Sequence, residues 1–432
     1  MRNVFLERIF YIFCLAIFVL PLERIGSLSY SGVNIRLSQI LVIVIFIFYL
    51  LYSLLNKKIK IIFSQSLVYY ILFLLACLVS LVFAKEKMRG LMISAFLIFM
   101  LIIPMVSLLL VDNKDKLKKS LKILIYSAIL FSVFGFFQFF GDLIGIPTSI
   151  TGLSDRYVKT VIGIPRIQST FIEPLYFANY LIIPLMISVF LLIRKGYSKK
   201  SRVIYFLLSL FFLTAIFLTL SKGAILAVAI LIFGIFIFQI RFLFSRENLP
   251  YIFSIVGFIL LISWFALSTI QSIPDFDSIY AKAYGVMTGG SVTERLGAYD
   301  NAMEAYNTSP VIGIGVGNFG PYYSGYPLTA PDYGWPIANN EYLEVLSETG
   351  IVGLLLFLLF LISIFYYSYK SFKSNNDPEL KIFLLALNFA LIGILIQYLT
   401  FSTLYIMHFW FLIGLILSAQ RIMLINNIEE DD

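Results

Sequence analysis

The chain is poor in charge and nearly without the usual metal ligands. Only 13% of its 432 residues are Asp, Glu, Lys or Arg; there is one histidine, His408, and there are two cysteines, Cys14 and Cys77. So little charge excludes an ordinary soluble domain. A single histidine excludes a His-rich metal site. Both cysteines lie inside apolar runs and read as packing residues, which say little about redox compartment. No small-residue cleavage site follows Pro21, so the first apolar run reads as a retained span rather than a signal peptide. No internal duplication stands out along the chain.

What is present is hydrophobic: 60% of residues are apolar and 17% aromatic. A bilayer core of about 30 Å needs roughly 20 apolar residues per helix. The runs are continuous rather than alternating, which selects helices over a barrel. The fold expected is therefore an all-α polytopic membrane protein. Twelve spans are expected, at 8–22, 37–55, 66–84, 91–111, 121–145, 171–193, 203–220, 224–240, 250–272, 342–368, 381–399 and 403–421. With both termini cytoplasmic, most of the 32 basic residues fall on the inner side, in connections such as NKKIK, DNKDKLKK and RKGYSKKSR. Anionic headgroups facing those loops account for the net charge of +8 without a nucleic-acid partner. The chain divides into spans 1–9 over residues 1–272, a large extracytoplasmic loop over 273–341, and spans 10–12 with a cytoplasmic tail over 342–432. Loops beyond about 12–15 residues are usually functional, and this one carries amphipathic segments, aromatics and glycine turns.

Within that loop, SVTERLGAYDNAMEAY reads as a helix. Ser291 and Glu294 form a capping box at its start. Leu296, Tyr299, Met303 and Tyr306 make one apolar stripe, and Asn307-Thr308-Ser309-Pro310 ends it. Arg295 is expected in the first turn, where a cation adds to the exposed amides as an anion site; the plainer alternative is a solvated surface arginine. Downstream, Gly315, Gly317 and Gly320 satisfy G-x-G-x-x-G. That motif signals a dinucleotide only after a strand and within a βαβ unit. Here the glycines serve tight turning or close approach.

Two more cations and four acids belong to this side. Lys222, in LSKGA, sits between two spans with almost no loop; it either snorkels to the surface or contributes to a site. Arg166 and Glu173 flank the start of the sixth span, and Glu173, close to hydrocarbon, calls for a partner. The stretch ANNEYLEVLSETG runs straight into IVGLLLFLLFLI. Glu341, Glu344 and Glu348 stand at i, i+3 and i+7 and so share one helix face. Either the acids line a polar cavity at the membrane surface or they form an amphipathic lip facing water. Cations suit a diphosphate, and a carboxylate suits removal of a proton from a sugar hydroxyl.

The segments QSTFIEPLYFANYL, LTLSKGAILAV, SVTERLGAYDNAMEAYNTSPVIGIGVGNF and NNEYLEVLSETGIVG resemble, in order and spacing, the O-antigen ligase/polymerase superfamily, which holds the Wzy-type polymerases and their ligase relatives. The resemblance spans roughly residues 165–355 in motif and the whole chain in span layout. It implies a GT-C-like membrane glycosyltransferase acting at the outer face of the bacterial cytoplasmic membrane. Donor and acceptor are glycans on undecaprenyl diphosphate. No cofactor, metal or nucleotide sugar is implied, and the partners are a chain-length regulator, a flippase and membrane lipid.

By the same resemblance Lys222 and Arg295 hold the donor diphosphate. Ligases usually carry His-Asn, nine residues, then Gly-x-x-Gly. Asn339-Asn340, nine residues, then Gly350-Ile351-Val352-Gly353 keeps the spacing without the histidine. Asparagine positions a hydroxyl but does not take its proton. The departure points to a polymerase, with Glu341 or Glu344 as substitute base and Arg166, Glu173, Asn339 and Asn340 as substrate contacts. Lysine at 222 keeps the family's charge but not the bidentate fork of its arginine. A ligase and a lipid-linked oligosaccharide flippase or other transporter remain as alternatives. Transporters commonly place ionisable residues near mid-membrane, whereas the charges here gather at the outer lip.

Overall fold

The computed structural model describes residues 2–24, 28–30, 33–56, 62–159, 163–194, 196–238, 254, 257, 290–327 and 334–428. The long apolar runs form helices, as lipid demands of backbone amides. Among the described residues eight are long and apolar enough to cross a membrane: Leu37–Leu55, Lys87–Leu110, Lys114–Leu143, Pro174–Leu192, Lys199–Leu218, Glu341–Ser374, Pro378–Gln397 and Met407–Ile425. Gln65–Ser80 and Lys222–Ile237 are apolar but shorter, and Arg2–Phe18 precedes them all. The expected span 250–272 lies outside the described residues, apart from isolated positions. Leu28–Tyr30 and Val33–Ile35 pair as a short antiparallel ladder, the one sheet among the described residues.

The chain forms two compact units, one of Met1–Ser127 with Arg295–Asp432 and one of Ala128–Glu294. In the first, helix Glu341–Ser374 packs along Gln65–Ser80, and Met407–Ile428 packs on Lys87–Leu110, Glu341–Ser374 and Pro378–Gln397. Its core is aromatic. Tyr70 lies 4.5 Å from Trp410 and 5.1 Å from Phe360 between ring centroids, and the Tyr70 hydroxyl donates to the Leu97 carbonyl. Cys14 and Cys77 are both free and buried in this core. In the second unit Pro174–Leu192 is flanked by Lys199–Leu218 and Lys222–Phe238.

One polar junction in the first unit holds helix ends together. The Asp377 side chain caps Pro378–Gln397 by accepting from the N–H groups of Glu379 and Leu380. Lys114 bonds Asp377 at 2.6 Å and Glu379 at 3.0 Å, and Lys118 bonds Glu379 at 2.9 Å. Burial pushes the Asp377 carboxyl up, but the Lys114 hydrogen bond and the two capping amides outweigh it, and the group sits below the ordinary carboxylate range. Its stabilisation is therefore complete above the ordinary aspartate range and is lost as pH falls through the depressed value. Asp377→Ala is expected to cost about 1–2 kcal/mol, seen as a lower melting temperature in detergent at pH 7 and a smaller deficit in acid.

Candidate active site

The acidic stripe begins where Asn340 starts a helix. Its side-chain oxygen accepts from the Tyr342 and Leu343 N–H groups at 3.0 and 3.2 Å. The incoming chain is fastened to the segment after Gln397: the Glu341 N–H donates to the Tyr398 carbonyl and the Asn340 N–H to the Ser402 hydroxyl. Asn339 stands at a positive φ of 54°, strained for a residue other than glycine. Its amide nitrogen donates to the Ile337 carbonyl.

The helix breaks nine residues later. Gly350, at φ 66° and ψ −171°, interrupts Glu341–Ser374. The carbonyls freed at the break are taken by a turn segment distant in sequence: Ile314 N–H donates to Ser347 and Gly315 N–H to Glu348, both at 3.0 Å. Ile351 N–H returns to the Pro310 carbonyl. This lattice explains the glycine motif. A side chain at Gly313 would strike the backbone of Glu348 and Thr349, one at Gly315 would strike Ala84, and one at Gly317 would meet Ile93 at 2.8 Å. The glycines allow close packing of backbone, with φ values of 83°, 102° and 74°.

Glu341, Glu344 and Glu348 share the face expected from their spacing and line one small cavity with Thr349 and Tyr405, with about 20 Å³ of room for a water-sized group. Phe73, Leu97 and Leu404 form apolar wall. Glu348, 8% exposed, accepts from the Phe319 N–H at 3.0 Å and from the Gly317 N–H. Glu344 accepts from the Ala338 N–H at 2.8 Å and from the Ser402 hydroxyl. Glu341 is 3% exposed and accepts from the Thr403 N–H. Its Oε2 is buried without a hydrogen-bond partner among the described residues. A buried polar atom left so is costly unless something else supplies the bond. Burial pushes the Tyr405 phenol well above its ordinary range, and the facing Glu344, Glu348 and Glu341 add to it.

Arg89, whose charge reaches the acids of this cavity, is a cation that the sequence reasoning missed. Its Nε donates to the Gly317 carbonyl at 2.6 Å, and its guanidinium lies 5.4 Å from the Trp335 ring centre. It is within electrostatic reach of Glu344, Glu348 and Tyr405. No direct ion pair to any of the three glutamates forms among the described residues. The available signal was the run KEKMRG between the third and fourth apolar stretches. Thr403 and Tyr405 were missed because 403–421 reads as one span; the helix starts only at Met407.

The remaining sequence-derived candidates lie as follows. Arg295 is half-buried in helix Gly290–Thr308, at its sixth residue and so just beyond the first turn where it was expected. The large apolar stripe is also not the packed face. Leu296 and Met303 are 55% and 40% exposed, while Ala298, Ala302 and Ala305 are buried, and small residues let the backbone come close. The Ser291 side chain lies outside the described residues.

In the second unit Lys222 is exposed at the first position of Lys222–Phe238, after Leu220 at a strained φ of 51°. Arg166 donates from Nε to the Thr219 carbonyl at 3.1 Å and stacks on Tyr157. Burial pushes the Glu173 carboxyl up, against the pull of Arg166 and Arg156; the partner it calls for is electrostatic rather than a bonded pair.

Residues 204–358 match the family model described as O-antigen ligase. Lys222, Arg295, Asn339 and the three glutamates all fall within that segment, and the resemblance to the O-antigen ligase/polymerase superfamily is shown there. The match indicates ligase/polymerase-like function, that of a membrane glycosyltransferase-like enzyme on lipid-linked glycans, and is consistent with a bacterial inner membrane. No curated protein matches the chain.

Proposed function

We propose that the chain is a polymerase of undecaprenyl-diphosphate-linked repeat units, working at the outer face of the cytoplasmic membrane in O-antigen, capsular or exopolysaccharide synthesis. In this reading it has twelve GT-C-like spans with both termini cytoplasmic. The observation that carries the choice is the pairing of Asn339 with Glu341. Where ligase relatives usually have a histidine, an amide occupies the position and gives a hydrogen bond to Ile337. Two residues on, a carboxylate oxygen is buried and unbonded among the described residues.

The acceptor hydroxyl enters the cavity and donates to Glu341. Its oxygen forms the new bond to the anomeric carbon of the donor sugar. The bond from that carbon to the diphosphate oxygen breaks, and the diphosphate leaves with the electron pair. The hydroxyl proton passes to the carboxylate, with Glu344 beside it, and the anomeric centre inverts. Charge grows on the leaving group, so a cation fixed there favours the transition state. Arg295 is assigned that role, and Lys222, in its own unit, is assigned diphosphate contact separately. Neither a nucleotide sugar nor a metal enters the scheme.

The ligase reading has the family description in its favour, and cells distinguish the two. A strain lacking the gene is expected to display single repeat units on a gel of surface glycan if the chain is a polymerase. A ligase would instead leave full-length polymer on its carrier, and a flippase would leave nothing displayed. Complementation with Arg295→Ala is expected to restore membrane insertion but not chain length; normal chain length in that strain would remove Arg295 from the site.

A further inference from the structure

We propose that Arg89 is a positioning residue for the carboxyl cavity, acting through the Gly317 carbonyl rather than by touching an acid. The inference rests on the reading in which an acceptor hydroxyl meets these carboxyls. Both polar groups of Gly317 belong to the link. Its carbonyl accepts from Arg89 Nε at 2.6 Å, and its N–H donates to Glu348. Two residues on, the Phe319 N–H donates to the same carboxyl at 3.0 Å. Arg89 and Glu348 are thus tied to opposite sides of one glycine, with no ion pair between them among the described residues. Glycine is required there. Its φ is 74°, and a side chain would meet Ile93 at 2.8 Å and Cγ of Arg89 at 3.6 Å.

The residues on either side of Gly317 are fastened too, but to helix ends. The Val316 N–H donates to the Ser80 hydroxyl at 3.0 Å, and the Asn318 side chain accepts from the Glu86 N–H at 2.8 Å. Neither bond touches a cavity acid. Arg89 supplies the side-chain bond to Gly317 itself, with its guanidinium 5.4 Å from the Trp335 ring centre. The segment reaches a second acid by packing: Phe319 lies against Ala338, whose N–H donates to Glu344 at 2.8 Å. Gly317 is buried, so without Arg89 its carbonyl would be a buried acceptor short of a donor. A shift of the segment to satisfy it would carry amides away from Glu348, and small misplacements at a reacting site are costly in rate.

Two substitutions separate the bond from the charge. Glutamine places its amide nitrogen as many bonds from the backbone as Arg89 Nε, so Arg89→Gln keeps a donor for Gly317 and loses the charge. Arg89→Met fills the same length with neither. The full chain in lipid nanodiscs is followed by hydrogen exchange and by extension of lipid-linked repeat units. Arg89→Met is expected to speed exchange of the 315–319 amides at least about tenfold, with Pro174–Leu192 unchanged. It is expected to lower kcat for extension about tenfold or more, with KM little changed. Arg89→Gln is expected to stay within about threefold of the wild type in both measurements. Four results would overturn the proposal: faster exchange throughout the Arg89→Met chain, local loosening with undiminished kcat, an Arg89→Gln protein as impaired as Arg89→Met, or wild-type behaviour of both. Should the wild type extend no repeat unit, the polymerase reading fails, and the exchange pattern still decides whether the Arg89 bond fixes the segment.

Discussion

Glu341→Gln is expected to lower the rate of chain extension by about 10²–10⁴-fold, the usual contribution of a positioned general base, while the protein melts at the same temperature or higher. The two halves of this result have one cause. Glutamine keeps an oxygen for the Thr403 N–H that Glu341 accepts. It also puts an N–H₂ where Oε2 is buried without a partner among the described residues. With Glu344 and Glu348 lining the same cavity, that amide finds acceptors, and a stability deficit is removed rather than created. What it does not have is a site for the proton of an acceptor hydroxyl.

Glu344→Gln makes the informative comparison. Glu344 already accepts from Ala338 and Ser402, so its amide variant risks turning a donor toward a donor. It is expected to lose more stability and less activity than Glu341→Gln. In vitro extension of a lipid-linked repeat unit, read beside thermal melts, separates them. A fully active Glu341→Gln enzyme would place the base elsewhere.

The helical class and the common face of the three glutamates were legible because they follow from two short-range rules: the apolar length a bilayer demands and the 3.6-residue turn. The cavity was legible only as one of two outcomes. Whether Glu341, Glu344 and Glu348 face water or protein depends on Gln65–Ser80 and the 398–406 segment, which come from elsewhere in the chain.

Long-range packing also explains the misses. Arg89 sits in a basic stretch at the start of an apolar run, where a cation is ordinary; only its bond to the Gly317 carbonyl, far along the sequence, marks it out. The stripe of Leu296 and Met303 looked like a packing face by size, yet the alanines carry the contact because the helix approaches Phe319 and Ala338 closely. The break at Gly350 is hidden for the same reason, since SETGIVGLLLF has helical apolar content throughout.

That break yields the second large effect. Gly350→Ala is expected to destabilise the protein by more than about 3 kcal/mol, enough to deplete it from the membrane. Two costs add. The φ of 66° is unfavourable for alanine, and the new methyl group would strike the Val311 carbonyl and the Ile312 nitrogen. Val311 and Ile312 cannot retreat alone, because the same segment supplies the amides that satisfy Ser347 and Glu348. Moving it would withdraw those amides and disturb Gly317 and Phe319, which hold the Glu348 carboxylate. Gly297→Ala is the control. Gly297 lies in helix Gly290–Thr308 with nothing within 4 Å of an added methyl group. There alanine is expected to stabilise by about 0.5–1 kcal/mol through helix propensity. Membrane abundance and melting temperature of the two variants, measured side by side, should move in opposite directions. A Gly350→Ala protein as stable as the wild type would mean that the glycine segment does not clamp the broken helix, and that the cavity owes its carboxylate geometry to something else.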